Sequence, residues 1–572
     1  MKKKSKFLNI CFSVASFIIL LIFVTNIITV LGWLIKIPIS KYHLLLAFIA
    51  TTILNYYLQF RYKNISKYEY IVSMGIAILC FGFSLYIANL FLDISYDGGW
   101  YHSISIIRLA DGWNPIYEFV NSGQFGDVYI DSYACKSIWG FGAAVYSLFG
   151  NLNSIKIISS LVSLSVIFLS ISIFGNFTKN KYQLILIIIL SICIGFNPIY
   201  LQQMFTNYID STLGLYCIFY VLLFISFYLK QNDFSNILFD VLIIACIALM
   251  TNTKLTGLFF AATFFGLYII FKLISDIKTK NFNWHWFKKM FVTGFIGVCA
   301  AVFIGINPFI TNVIHGHNMF YPILGAEKIE VMGANIPESF RSKSNLTKLI
   351  LANFSETSNS TNYFDTHFLN PLQFNYITQF SNLSFDTRVG SFGALYPLIM
   401  YIMIISLLLF SKKLLKSDEN SLLKKSIFLS ILFILIVGIL FSESWWGRYY
   451  SILWIVPLLI AIYYSLEKNK IIKCISIIIA ILALINIYNV YNAIYNKNLL
   501  DSRKTTDYIS TLEGKKVQFW CYDLDGKWNY SYIRYFEENN VEAIALDEPL
   551  EEYDYVGYNI SIKIIEEDDN EK

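Results

Sequence analysis

Charge is what this chain has least of. Only 15% of its 572 residues are Asp, Glu, Lys or Arg, against roughly 25% in an ordinary soluble domain. With 56% hydrophobic residues and a mean hydropathy of +0.55, that shortage excludes a water-soluble globular protein. Cysteine is equally uninformative: most of the nine lie inside apolar runs, and Cys135 and Cys521 alone read as solvent-accessible. Neither a disulfide framework nor a CxxC metal site is legible. The chain has no P-loop, no Gly-rich dinucleotide fingerprint and no basic stripe, which argues against nucleotide-sugar donors and against nucleic acid as a partner.

Apolar runs of the length a helix needs to cross roughly 30 Å of hydrocarbon recur along most of the chain. They predict about thirteen spans: 8–31, 42–60, 70–92, 154–175, 182–196, 209–229, 237–250, 255–274, 290–310, 392–410, 426–441, 449–466 and 471–495. Asn252, Thr253 and Lys254 form either a tight turn or a break in one long helix, so the count ranges from 11 to 13. The start MKKKSKF precedes an apolar run without a small-residue cleavage site, so it predicts a retained first helix rather than a signal peptide.

Lysine distribution sets the expected orientation. With the amino terminus cytoplasmic, the turns RYKNISK, TKNK, DIKTKNFNWHWFKK, SKKLLK and EKNKIIK all fall inside, and these lysines account for the formal net charge of +5. The carboxyl terminus is then exterior, in an integral plasma-membrane protein surrounded by membrane lipids. Three polar regions face outside: 93–153, 312–391 and 496–572. In the last, KKVQFWCYD, SYIRYFEENN and VEAIAL read as strand, helix and strand, a small α/β domain ending in a solvated acidic tail.

The first exterior region opens with SYDGGWYHSISIIRLADGWNP, which sets Asp97 and His102 where hydrocarbon meets water. Ionisable groups there are costly enough to mark a site. The bland alternatives are a helix cap for Asp97 and membrane-belt aromatics for Trp100, Tyr101 and Trp113. Later segments follow the same theme: NYIDSTLGLYCI carries Asp210, ALMTNTKLTGLFF carries Lys254, NPFITNVIHGHNMFYPILG carries His315 and His317, and WWGRYYSILWIVP carries Arg448 and Tyr449.

This ordered set resembles the GT-C superfamily of polyprenyl-phosphate-sugar-dependent membrane glycosyltransferases, a group that includes protein O-mannosyltransferases and bacterial aminoarabinose transferases. The resemblance runs from about Tyr70 to Leu466, within a transmembrane module at 69–495, leaving two additional amino-terminal helices in 1–68 and the 496–572 domain outside it. It implies an all-α polytopic fold with two large exterior loops. The implied enzyme moves a hexose or pentose from a polyprenyl-phosphate carrier to a glycan, lipid or protein acceptor of the cell envelope. Asp97 corresponds to the general base of an inverting transfer. Family loops often carry two adjacent acidic residues, whereas Gly98 and Gly99 follow Asp97; Asp93, Asp111 and Asp210 are the candidates for a second carboxylate.

Substrate binding is expected from His102, Lys254, Arg448, Tyr449 and Tyr363, with Phe364 and Phe368 able to stack on a sugar ring. Arg448 presents a planar fork suited to phosphate; Lys254 is either a point charge for it or a snorkelling side chain. A divalent metal ion is left open, with Asp210, His315 and His317 as candidate ligands on a weak HxH signal. Two rivals stand beside the transferase. A flippase of lipid-linked glycan calls for internal repeats and paired broken helices, which the sequence does not display. A polysaccharide polymerase or ligase calls for several loop arginines, of which the second loop offers Arg341 and Arg388.

Overall fold

In the computed structural model, each of the thirteen expected spans coincides with a helix. The structure describes all residues except 1, 64, 121–124, 134, 230–236, 279, 281, 330–334, 360–366, 370–375, 417–419, 523–527, 558 and 566–572. Among the described residues, nine helices are long and apolar enough to cross a membrane, and 181–195, 237–251, 396–412 and 451–466 are shorter apolar helices. The protein is a polytopic helical membrane protein with a small carboxyl-terminal sheet.

Several helices start in the lysine-bearing turns, where a polar side chain meets the free amides of the first turn. Ser66 and Glu69 form a reciprocal capping box on Lys67–Ala88. Asn180, Asn283 and Asn469 cap Lys181–Gly195, Trp284–Ile304 and Lys470–Ile494 through their side-chain oxygens.

Lys2–Leu34 is buried along most of its length, against Ile157–Gly175, Lys41–Lys63, Lys67–Ala88 and Lys136–Phe149. Its polar residues hydrogen-bond across these contacts: Ser13 Oγ meets Ser73 Oγ at 2.9 Å, and Ser16 Oγ donates to Asn55 Oδ1 at 3.0 Å. Small hydroxyl residues let helices approach closely and link them where lipid offers no partners. The first helix is therefore an interior element of the bundle.

Two sequence expectations are corrected. Cys135 and Cys521 are buried, whereas Cys299 and Cys474 are exposed on the outer surface of the bundle; apolar runs present one face to lipid, so membership of a run does not imply burial. Tyr101 and Trp113 are also buried rather than lying in a membrane belt, because Tyr101 stacks on Tyr129 at 5.4 Å and Asn114 ties its segment to the Trp33 carbonyl.

The carboxyl-terminal domain follows Leu500–Ser510. Strand β1, Lys516–Cys521, runs parallel to β2, Glu542–Ala545, with Trp528–Glu538 between them in sequence. Strands β3, Tyr555–Val556, and β4, Ile560–Ile564, complete the order β2-β1-β4-β3, with β4 antiparallel to β1. Val517, Phe519 and Cys521 alternate inward, and Phe519 packs on Tyr532 and Phe536. Two links fasten this domain to the first loop: Glu538 accepts from the Leu152 amide at 3.0 Å, and Arg534 pairs with Asp111 at 2.5 Å. In the helix that leads into the domain, Ser502 Oγ donates to the Leu92 carbonyl at 2.7 Å.

Candidate active site

The segment after Lys67–Ala88 is fixed by Asp93, whose carboxylate accepts from the amides of Ser95 at 2.8 Å and Asn207 at 2.6 Å. Gly98 sits against that carboxylate and Ser95 Oγ, where a Cβ would collide with both. This packing delivers Asp97 immediately before the wide turn Gly98–His102. Asp97 makes no side-chain cap there. Its Oδ2 instead receives Arg448 Nη2 at 2.8 Å.

Arg448 lies in the segment between Ser421–Leu440 and the 451–466 helical stretch. Its Nε faces Asp210 Oδ2 at 2.8 Å, and its Nη1 pairs with Asp386. Asp210 opens Asp210–Leu229; that helix approaches Ser451 so closely that a Cβ on Gly214 would overlap the serine hydroxyl. Lys254 completes the cluster, with Nζ 2.7 Å from Asp210 Oδ1. Its turn is a true break between Ile237–Thr251 and Leu255–Lys278, pinned where the Asn252 carbonyl accepts from Ser137 and Asn252 Nδ2 donates to the Ala301 carbonyl.

Three carboxylates thus meet Arg448 and Lys254, with Arg388 at 3.8 Å from Asp386 as a third cation. Charge of both signs in such density is tolerated inside a protein only when paired and hydrogen-bonded. Aromatic faces wall it in: Tyr208, Trp446 and Tyr449 lie 4.7, 5.1 and 5.2 Å from the Arg448 guanidinium, and Lys254 sits over Tyr449 at 3.8 Å. Lys254 is therefore an internal ion-pair partner, not a snorkelling side chain. Burial pushes the Asp97 carboxyl above the usual carboxylate range; Arg448 opposes that shift, and Asp386 and Asp210 add to it.

His102 is 1% exposed. Trp139 Nε1 donates to its Nδ1 at 2.9 Å, which leaves the ring proton on Nε2, a buried donor with no hydrogen-bond partner among the described residues. Burial lowers its pKa to about 3, so the ring stays neutral. His315 and His317 stand apart from the cluster. His317 Nδ1 meets Glu327 at 2.6 Å and its ring stacks on Tyr321 at 4.4 Å, while His315 packs on Phe119 at 4.7 Å. Asp210 is engaged by Arg448 and Lys254. Among the described residues no group of three His, Cys, Asp or Glu side chains is placed to hold a metal ion. Tyr363 and Phe364 lie outside the described residues, and Phe368 is exposed.

Asp386 is the member that sequence reasoning missed. NLSFDTRVG carries no spacing signal; only the fold brings it to Arg448. Of the three second-carboxylate candidates, Asp210 joins the cluster, Asp93 fixes the segment before Asp97, and Asp111 anchors the carboxyl-terminal domain. Beside the cluster opens a cavity of about 580 Å³, with Asp386 and Tyr208 in its wall.

A polytopic helical bundle with a buried carboxylate and cation cluster at one end is the class that fold and site define. No family model and no curated protein matches the chain. Solved structures similar to it include two of ArnT from Cupriavidus metallidurans. The apo state has a TM-score of 0.44 at 12% identity, covering 84% of this chain and 85% of that one. The form bound to undecaprenyl phosphate has a TM-score of 0.43 at 12% identity, covering 84% and 87%.

Proposed function

We propose that this protein is a membrane glycosyltransferase that moves a sugar from a polyprenyl-phosphate carrier to a cell-envelope acceptor at the exterior face, with the amino terminus cytoplasmic and the carboxyl terminus exterior. The observation that carries the reading is the contact between Asp97 and Arg448. It sets a carboxylate whose proton affinity is raised by burial against a cation suited to phosphate, beside a cavity of ligand size. The order of motifs that resembles the GT-C superfamily supports the same reading.

In the proposed step the acceptor hydroxyl gives its proton to the Asp97 carboxylate while its oxygen bonds to the anomeric carbon. The bond from that carbon to the phosphate oxygen breaks, its electron pair stays with the polyprenyl phosphate, and the anomeric configuration inverts. Arg448 and Lys254 offset the charge on the departing phosphate. A phosphate that takes Arg448 Nη2 releases Asp97 from its ion pair, so donor binding and base activation are one event. General-base assistance of this type is worth about 10² to 10⁴ in rate.

The test is transfer of labelled sugar from a panel of polyprenyl-phosphate donors by purified protein, wild type beside Asp97→Asn. Turnover lost in a folded Asp97→Asn protein supports the reading. Equal turnover in both removes Asp97 as base, and donor binding without turnover in the wild type points to a flippase.

A further inference from the structure

The cavity of about 580 Å³ beside the charge cluster is lined by residues from distant parts of the chain. The first loop contributes Tyr96, and the second contributes Asn359 and Asp386. The joint after the last long helix contributes Asn498, and the carboxyl-terminal domain contributes Tyr522 and Asn559. Two of these carry an unexplained polar atom. Asn498 is 5% exposed and Asn559 8%, yet Asn498 Oδ1 and Asn559 Nδ2 have no hydrogen-bond partner among the described residues. The other half of Asn559 is committed: its Oδ1 accepts from Tyr532 Oη at 2.8 Å.

A buried amide atom left without a partner costs on the order of 1 to 3 kcal/mol, and in native proteins such atoms call for an explanation. Here one is an acceptor and the other a donor, carried by two residues that line one cavity, and each atom is covered in the free protein. A hydroxyl both donates and accepts, so a ring bearing several hydroxyls satisfies both amides once each side chain turns toward it. Tyr96 and Tyr522, each about half exposed, offer aromatic faces for the ring's C–H surface. A concave site with a few convergent polar groups among aromatics suits a small organic ligand.

From these observations we infer that the carboxyl-terminal domain completes a saccharide subsite, with Asn498 and Asn559 hydrogen-bonding ring hydroxyls and Tyr522 packing on the ring. The inference rests on the transferase reading for its biological setting, and the sugar belongs either to the donor or to the acceptor.

The experiment is saturation-transfer NMR on the full chain in lipid nanodiscs, with methyl glycosides of glucose, mannose, galactose and N-acetylglucosamine as probes. Saturation of at least one glycoside is expected with the wild type, reduced fivefold or more in Asn498→Leu and in Asn559→Leu. Asn559 also supports Tyr532, so Tyr522→Ala, at an exposed position, serves as a second variant and should reduce the same signal. No saturation of any glycoside by the wild type, or full saturation in all three variants, overturns the subsite. Adding a glycosylated polyprenyl phosphate removes the signal if the donor sugar occupies the cavity and spares it if the acceptor does. Binding is read without turnover, so failure of sugar transfer with glycoside binding intact defeats the transferase reading alone.

Discussion

Arg448 and Asp97 are 351 residues apart in the chain, and their side chains meet with Nη2 2.8 Å from Oδ2. The same guanidinium holds Asp210 and Asp386, so one side chain joins the first loop, a membrane helix and the second loop. Removing one partner of a buried ion pair leaves the others uncompensated, at a cost of about 3 to 5 kcal/mol. Arg448→Ala should therefore lower the thermal midpoint in detergent as well as abolish transfer. Arg448→Lys, which keeps the charge but not the planar fork, should retain more stability than activity.

Activity should fall on the acid side at a pH above the usual carboxylate range. A base works deprotonated, and burial raises the pKa of Asp97, so the active form is lost as pH falls through that raised value. His102 stays neutral throughout, since its pKa is lowered to about 3. A pH-rate profile of wild-type transfer checks this; an acid limb at or below the ordinary aspartate pKa of about 3.9 refutes it.

Lys254 shares Asp210 with Arg448 and lies over Tyr449. Lys254→Met removes a charge-assisted contact, an effect of about 1.5 to 3 kcal/mol, so the KM for a polyprenyl-phosphate donor should rise about tenfold or more. Initial-rate kinetics over donor concentration separate that rise from a change in kcat; an unchanged KM removes Lys254 from donor binding.

Glu538 fastens the carboxyl-terminal domain by accepting from the Leu152 amide. Glu538→Ala should loosen the docking by about 1 kcal/mol while leaving β1 to β4 paired. Hydrogen exchange should accelerate at Leu152 and along Trp528–Glu538, with the strands protected as before. Unchanged exchange at Leu152 would show that the ion pair between Arg534 and Asp111 holds the domain without it.

Among the described residues hydropathy located the nine long and four shorter apolar helices because each apolar run carries its own signal, and the strand, helix, strand order that opens the tail was legible for the same reason. The site was legible only in part. Asp97, Asp210, Lys254 and Arg448 are conspicuous as charges at the ends of oily segments, whereas Asp386 lies in a polar loop where a carboxylate is unremarkable. The sequence presented Arg448 as a fork suited to phosphate, but three aspartates already meet it. No local pattern encodes that convergence, because it depends on how the 210–229 helix packs against Ser451. The unpartnered amides of Asn498 and Asn559 were invisible for the same reason: being unpartnered is a property of the fold.

The position of Arg448 along the chain also orders events in time. Asp97 and Asp210 are synthesised well before Arg448, and Lys254, 44 residues after Asp210, is available as an early counter-ion for Asp210. Among the described residues the ion-pair partner of Asp97 is Arg448, which is made only with the segment before the 451–466 helix. The pair between Asp97 and Arg448 can therefore form only after that segment is made, so this link between distant parts of the chain closes late in synthesis.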